Sequence, residues 1–470
     1  MKQMKWAVLA LATGLAVSPL WAEDAAGDWG GQLLGKLRLV VRLKADGNGQ
    51  WTGNMESLDQ GNAVLPLADI RATPDQLQFA APQVNGQYKG QWDAEKKAWV
   101  GTWQQGQPLA LTLTRLHAAG DNPALPKLPK LPKRPQEEAI VSANGPHTAQ
   151  DVTFDNQAAG VRLAGTFSAP AGRGPFAAVL LIAGSGPNTR DEEVLGHKVF
   201  LVLADALNRA GIAVLRYDKR GIGASTGNIA LATSEDFASD ARAALAYLRT
   251  RADVDALRLG LLGHSEGGVI APIVAADDAG VRFVVLLAGS SVNGQRVLLS
   301  QKALIMRASG QSESQVEKAV RFNQKMFDMV VRSQTALDAQ QQLKAHFEPM
   351  VAGHDMSQQQ ADQLIAQLTS PWMRYFLRYD PAPTLRKVTV PVLALNGALD
   401  LQVEPVENLG VIRLALAGNK DATVVEMPGL NHLFQTAKTG SPSEYADIEE
   451  TMSPAALDTI TAWVASHAKP

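Results

Sequence analysis

There is no cysteine among the 470 residues. That absence excludes disulfides, lipid attachment at a cysteine, thiolate nucleophiles and thiolate metal sites together. An excess of charge of either sign is missing too: 44 Lys and Arg stand against 46 Asp and Glu, a net charge of −2. Such a chain has no basic footprint, and no nucleic-acid partner is expected. The apolar stretch 6–17 is too short to span a bilayer comfortably, so no stable membrane span is expected either. Basic Met1-Lys2-Gln3-Met4-Lys5 precedes that stretch, and Leu20-Trp21-Ala22 followed by Glu23 closes it. Together they predict an export signal over residues 1–22, hence a periplasmic or secreted protein.

What is present divides into regions. Hydrophobic residues at 46% and charged residues at 19% describe a globular chain long enough for two or three domains. Residues 27–116 read as all-β. Leu37-Arg38-Leu39-Val40-Val41-Arg42-Leu43-Lys44 nearly alternates, and Asp46-Gly47-Asn48-Gly49 supplies a hairpin turn, suggesting a small barrel or sandwich. Trp29, Trp51, Trp92, Trp99 and Trp103 fall there. Tryptophans can stack on a sugar, which would make the region a glycan- or envelope-binding module; the plainer reading is that they fill a small β core. Residues 117–149 form a linker in which proline recurs every third position from Pro123 to Pro135. That period matches polyproline II, a stiff strut of roughly 40 Å that few contacts should cross.

From 150 to 470 apolar strands alternate with helices, as in an α/β sheet. The strands are expected at 176–183, 212–217, 257–262, 281–288, 390–396 and 423–427. The long gap before the fifth reads as a helical insertion over about 291–385. Ser314-Gln315-Val316-Glu317 looks like a capping box there, and Ser357-Gln358-Gln359-Gln360 opens a further helix that Pro371 ends. An insertion at this sheet edge is expected to cap the ligand crevice.

Gly263-His264-Ser265-Glu266-Gly267 sits between one of these strands and a small-residue helix. A serine at that junction occupies a sharp turn with its hydroxyl exposed, the geometry of a nucleophile elbow. Gly223-Ala224-Ser225-Thr226-Gly227 matches the same five-residue pattern, but no strand directly precedes it, so Ser225 reads as a turn residue. A serine nucleophile needs a base and a group that orients the base. His432, just past the last strand, has the right order for the base. Asp400, on the exit loop of 390–396, is the acid, whereas Asp421 precedes a strand at the wrong edge. The two oxyanion donors are expected to be the backbone N–H groups of Glu266 and of Ser185, in Gly184-Ser185-Gly186-Pro187.

With these pieces stand Arg190-Asp191-Glu192 and Arg216-Tyr217-Asp218-Lys219-Arg220-Gly221-Ile222-Gly223. The combination resembles the bacterial α/β-hydrolases of the serine-aminopeptidase-like family, and within it the EstD-type carboxylesterases. The resemblance implies an α/β-hydrolase fold and hydrolysis of a small-molecule ester by Ser265, Asp400 and His432, with no cofactor and no metal. Many relatives begin the oxyanion loop with His-Gly, where this chain has Ala183-Gly184. A peptidase of the same fold is the alternative. An aminopeptidase would need acidic cap residues for the substrate amine, and Glu313, Glu317 and Asp328 are the candidates.

Overall fold

The computed structural model describes residues 25–33, 37–46, 49–59, 63–84, 86–105, 107–116, 132–142 and 147–469. The expected signal segment and the proline repeat up to 131 lie outside the described residues.

Nine antiparallel strands come first: β1 (Gly27–Leu33), β2 (Leu37–Ala45), β3 (Trp51–Ser57), β4 (Ala63–Pro66), β5 (Ala68–Ala72), β6 (Gln76–Ala81), β7 (Gly86–Asp93), β8 (Ala98–Gln105) and β9 (Gln107–Leu116). They form one sheet in the order β4-β3-β2-β1-β9-β8-β7-β6-β5. Its two edge strands are consecutive in the chain, joined through Leu67, whose N–H donates to Gly53 O of β3 at 2.9 Å. The sheet therefore curls on itself as a barrel, which protects its edges. Leu39, Val41 and Leu43 point inward with Trp29, Phe79, Tyr88, Trp99 and Trp103, all buried. Three of the five tryptophans thus fill the barrel. Trp51 is half-buried and Trp92 is exposed.

The region read as a linker is partly structured. Helix α1 (Pro135–Ser142) opens on a proline, whose missing N–H and fixed φ suit the first helical position. Strand β10 begins at His147, inside the span assigned to the linker. Arg134 is buried and donates to the carbonyls of Ile448 (2.8 Å), Ala446 (2.9 Å) and Leu195 (3.2 Å). Gln136 donates to Met452 O at 2.8 Å, and its own oxygen accepts from Thr451 N at 2.7 Å. Residues 134–142 therefore belong to the body that follows, and the linker boundary is corrected accordingly. The polar side chains here find buried carbonyl partners that no local pattern announces.

That body is an α/β unit built on one large sheet. Its strands are β10 (His147–Asn156), β11 (Val161–Pro170), β12 (Phe176–Ile182), the small hairpin β13 (Glu193–Val194) and β14 (His197–Lys198), β15 (Ala213–Tyr217), β16 (Val254–His264), β17 (Val281–Leu287), β18 (Val392–Gly397) and β19 (Ala422–Met427). Eight of them make a sheet in the order β10-β11-β15-β12-β16-β17-β18-β19, antiparallel at the β10–β11–β15 end and parallel beyond. The central strands are near-continuous Val, Leu and Ile because both faces are covered. One face packs on α3 (Ser234–Thr250), α4 (Gly267–Ala275) and α11 (Pro405–Ala415), the other on α2 (Val199–Arg209) and α12 (Pro454–His467).

The insertion between β17 and β18 is helical: α5 (Gly294–Ala308), α6 (Glu313–Arg332), α7 (Ala336–Ala352), α8 (Gln358–Leu368), α9 (Pro371–Arg378) and α10 (Ala382–Leu385). Met326, Phe327, Val330, Leu343, Phe347 and Leu377 give it a core of its own. The cap of α6 is Ser312, whose hydroxyl and Gln315 form the capping box, two residues before the expected one. Ser357 caps α8 with Gln360 as expected. Pro371 opens α9 as well as following α8.

The two parts touch. Gly196 N donates to Asp59 O at 3.2 Å, Gln359 Nε2 donates to Gln87 Oε1 at 2.7 Å, and the turn Pro82–Val84 packs on the turn Ile229–Leu231. The expectation that few contacts join the β region to the rest is corrected by these pairings.

Candidate active site

Ser265 follows β16 with φ +53°, a strained value for a residue with a side chain. Its N–H donates to Leu287 O at 2.8 Å, and its carbonyl accepts from Gly268 N at 2.9 Å, starting α4. The flanking glycines make the turn feasible. A Cβ on Gly263 would lie 1.9 Å from Gly267 O, and one on Gly267 would lie 1.9 Å from Ile182 O. Ser225, by contrast, is buried in a turn, where its hydroxyl donates to Asp218 O at 2.8 Å and accepts from Ala164 N at 2.9 Å.

Asp400 leaves β18 and is buried. One carboxylate oxygen accepts from Gln402 N (2.7 Å) and Val403 N (2.9 Å), and the other pairs with His432 Nδ1 at 2.7 Å. With Nδ1–H donated to Asp400, His432 Nε2 carries the lone pair a base needs. The His432 loop is pinned by Asn431, whose side-chain oxygen accepts from Leu433 N and Gln435 N, each at 3.0 Å.

His264 joins the serine loop to the histidine loop. Its Nε2 donates to His432 O at 3.0 Å, and its Nδ1 meets Glu192 Oε1, also at 3.0 Å. Burial opposes charge on this imidazole, but Glu192 outweighs that, and the pKa lies above the ordinary value. The same Glu192 oxygen accepts from Gly184 N at 2.5 Å. One buried carboxylate thus holds both the 184–187 loop and the histidine beside Ser265.

The 184–187 loop is braced by further side chains. Lys219 Nζ donates to Gly184 O (2.5 Å) and to Glu266 Oε2 (3.0 Å). Glu266 Oε1 accepts from Ser234 Oγ (2.7 Å) and from Trp372 Nε1 on α9 (2.6 Å). Asp218 accepts from Arg190 Nη2 at 2.9 Å, and Arg216 pairs with Asp191. The motif 216–221 is therefore the foundation of this loop. A Cβ on Gly184 would lie 3.1 Å from Ser265 Cβ, so the loop passes directly over the serine. Ser185, Glu266 and Ser265 line one cavity of about 70 Å³ with Trp372, Phe376 and Val403.

Sequence reasoning missed Glu192, His264 and Lys219 as parts of the site, whereas Trp372 and Phe376 are cap residues whose apolar character already suits them to an acyl pocket. Glu192 and Lys219 fall in the quoted motifs, but what they hold lies 72 and 47 positions away. Among the described residues no cluster of His, Asp and Glu is suited to a metal, and no helix is long and apolar enough to cross a membrane. The aminopeptidase candidates are elsewhere: Glu313 pairs with Arg307, Glu317 with Arg321, and Asp328 accepts from Gln295 and Gln324.

A doubly covered sheet with a serine elbow and a buried Asp–His pair on later strand exits defines an α/β-hydrolase. The serine aminopeptidase S33 family matches residues 197–436, and the chain belongs to that family. Esterase EstD of Thermotoga maritima is 26% identical over 284 residues, 60% of this chain and 61% of its own length. The chain thus spans about three-fifths of that relative. An uncharacterised protein of Mycobacterium tuberculosis is 34% identical over 122 residues, 26% of this chain and 39% of its own. Among solved structures, a hypothetical protein of Pseudomonas aeruginosa overlays with a TM-score of 0.44 at 16% identity, covering 68% of this chain and 94% of that one.

Proposed function

We propose that this protein is a serine carboxylesterase acting on short to medium acyl esters through an acyl-enzyme. The observation that carries the reading is the 2.7 Å pairing of His432 with buried Asp400, on a loop tied through His264 to the strained Ser265. His432 Nε2 takes the hydroxyl proton as Ser265 Oγ bonds to the ester carbonyl carbon. The carbonyl oxygen becomes the oxyanion facing the N–H groups of Ser185 and Glu266. Collapse breaks the bond to the alcohol oxygen, which receives the proton from His432 and leaves. Water then repeats the sequence and releases the acid. The similarity to an esterase supports this chemistry.

Ester rather than aminoacyl substrate is favoured by what lines the site. Among the described residues lining the serine cavity the one acid, Glu266, is already engaged by Lys219, Ser234 and Trp372, leaving no carboxylate there for a substrate amine. Export is part of the proposal, motivated by the basic and apolar N-terminal pattern, and mature protein beginning elsewhere than Glu23 would overturn it.

The decisive measurement is turnover of p-nitrophenyl esters beside aminoacyl anilides. Ser265→Ala is expected to lose roughly 10⁴-fold or more in ester kcat with its Tm preserved. Ser225→Ala is expected to keep kcat per folded molecule within a few-fold while losing about 1–2 kcal/mol of stability, since it leaves buried partners unpaired. Swapped phenotypes would overturn the elbow assignment, and preference for the anilides would overturn the esterase reading.

A further inference from the structure

A second cavity, of about 300 Å³, adjoins the serine pocket, and its walls come from three separate parts of the chain. The oxyanion loop supplies Ser185 and Pro187, the cap supplies Trp372 and Met373, and the barrel supplies Val84 and Gln105. Ser185 and Trp372 also line the pocket that contains Ser265. The two spaces therefore share Ser185 and Trp372 as walls. Trp372 is fixed there by its bond to Glu266 (2.6 Å), and Gln105 by accepting from Trp103 Nε1 at 3.1 Å. The barrel wall is held in register by the Pro82–Val84 turn against Ile229–Leu231 and by the Gln87–Gln359 pair.

We propose that the β barrel is a working wall of the substrate site, seating the acyl chain of an uncharged ester between Val84 and Gln105 on one side and Trp372 and Met373 on the other. This rests on the esterase reading above. Among the described residues no charged side chain lines the 300 Å³ space, and its polar side chains are neutral amides, hydroxyls and an indole, so a charged chain would be stranded there without a partner. The chain is the acyl part rather than the alcohol. The leaving oxygen must lie beside His432 to be protonated, and neither His432 nor its loop lines this space, which opens on the oxyanion-loop side. Chain-length preference then belongs to a domain that carries no catalytic residue.

The test uses the full chain and a p-nitrophenyl series from acetate to decanoate. Val84→Trp, which fills the space, should lower the octanoate-to-acetate ratio of kcat/KM by at least about tenfold. Val84→Ala, which enlarges it and keeps the fold if tryptophan does not, should move the optimum toward longer chains. Ratios unchanged in Val84→Ala and in a folded Gln105→Trp would overturn the barrel's role while leaving the esterase intact. Wild-type protein that turned over no ester of any length would instead overturn the esterase reading, and this inference with it.

Discussion

Glu192 does three jobs with one side chain, and each can be read in kinetics. It accepts from Gly184 N, faces His264 Nδ1, and through His264 reaches the carbonyl of His432. Glu192→Gln keeps the volume but removes the charge and forces one amide N–H toward a donor. The expected result is a kcat lowered by roughly 10–100-fold with KM little changed, because the loss falls on the placement of donors and base in the transition state. A proportional rise in KM with kcat intact would show that Glu192 shapes substrate binding instead. Strand context, chain order and loop position select Ser265, Asp400 and His432 among all serines, acids and histidines, and the structure adds the pairing of Asp400 with His432 at 2.7 Å. Glu192 was not legible in this way, since nothing local distinguishes a buried carboxylate with distant partners from a solvated one.

At the scale of elements, a polar bond joins the cap to the elbow, from Trp372 Nε1 to Glu266. Trp372→Phe preserves an aromatic wall, stacked with Phe376, but leaves one oxygen of a buried carboxylate a donor short. Hydrogen bonds to charged groups contribute about 1.5–3 kcal/mol, so the variant should raise KM for medium-chain esters more than it lowers kcat for acetate. Loss of both for every ester would mean that the bond is needed to build the oxyanion loop. Element boundaries were less legible than the elements themselves. Ser312-Glu313-Ser314-Gln315 and Ser314-Gln315-Val316-Glu317 are overlapping capping boxes, and the earlier one places Glu313 in the first turn, where the helix dipole favours it.

The segment around Tyr445 to Met452 is where pH should act on stability. His197 is buried between Thr451 Oγ1 and Tyr445 O, each 2.9 Å away. Desolvation, aided by nearby Arg134, pushes its pKa down to about 4. A depressed value means that the folded state resists the proton that the unfolded chain accepts near pH 6.5. His197 therefore contributes fully above about pH 6.5, and that contribution is lost progressively as pH falls toward 4, by about 3 kcal/mol at most. Urea midpoints at pH 7.5 and pH 5 should differ, and His197→Gln should shrink the difference. An equal difference in the variant would assign the acid sensitivity to other groups.

For the whole molecule, the alternation of strands and helices and the elbow were enough to expect the α/β sheet, and the short alternating strands were enough to expect a separate β unit. The mutual contact of the two was hidden, because a proline-rich strut reads as separation while docking depends on surfaces far apart in the chain. The decisive comparison is between a chain beginning at Pro132 and one beginning at Ala139. The first keeps Arg134, Gln136 and Glu137, whose buried bonds reach Leu195, Lys198 and the 446–452 segment. The second removes all three and strands several carbonyl and N–H partners, each costing about 1–3 kcal/mol if left unsatisfied. The Ala139 chain should therefore melt well below the Pro132 chain or fail to fold. The Pro132 chain also lacks the barrel, so it should fold and hydrolyse acetate esters while losing its discrimination among longer acyl chains. Equal melting of the two would mean that α1 is a passive tether, and full retention of chain-length preference in the Pro132 chain would place specificity in the cap alone.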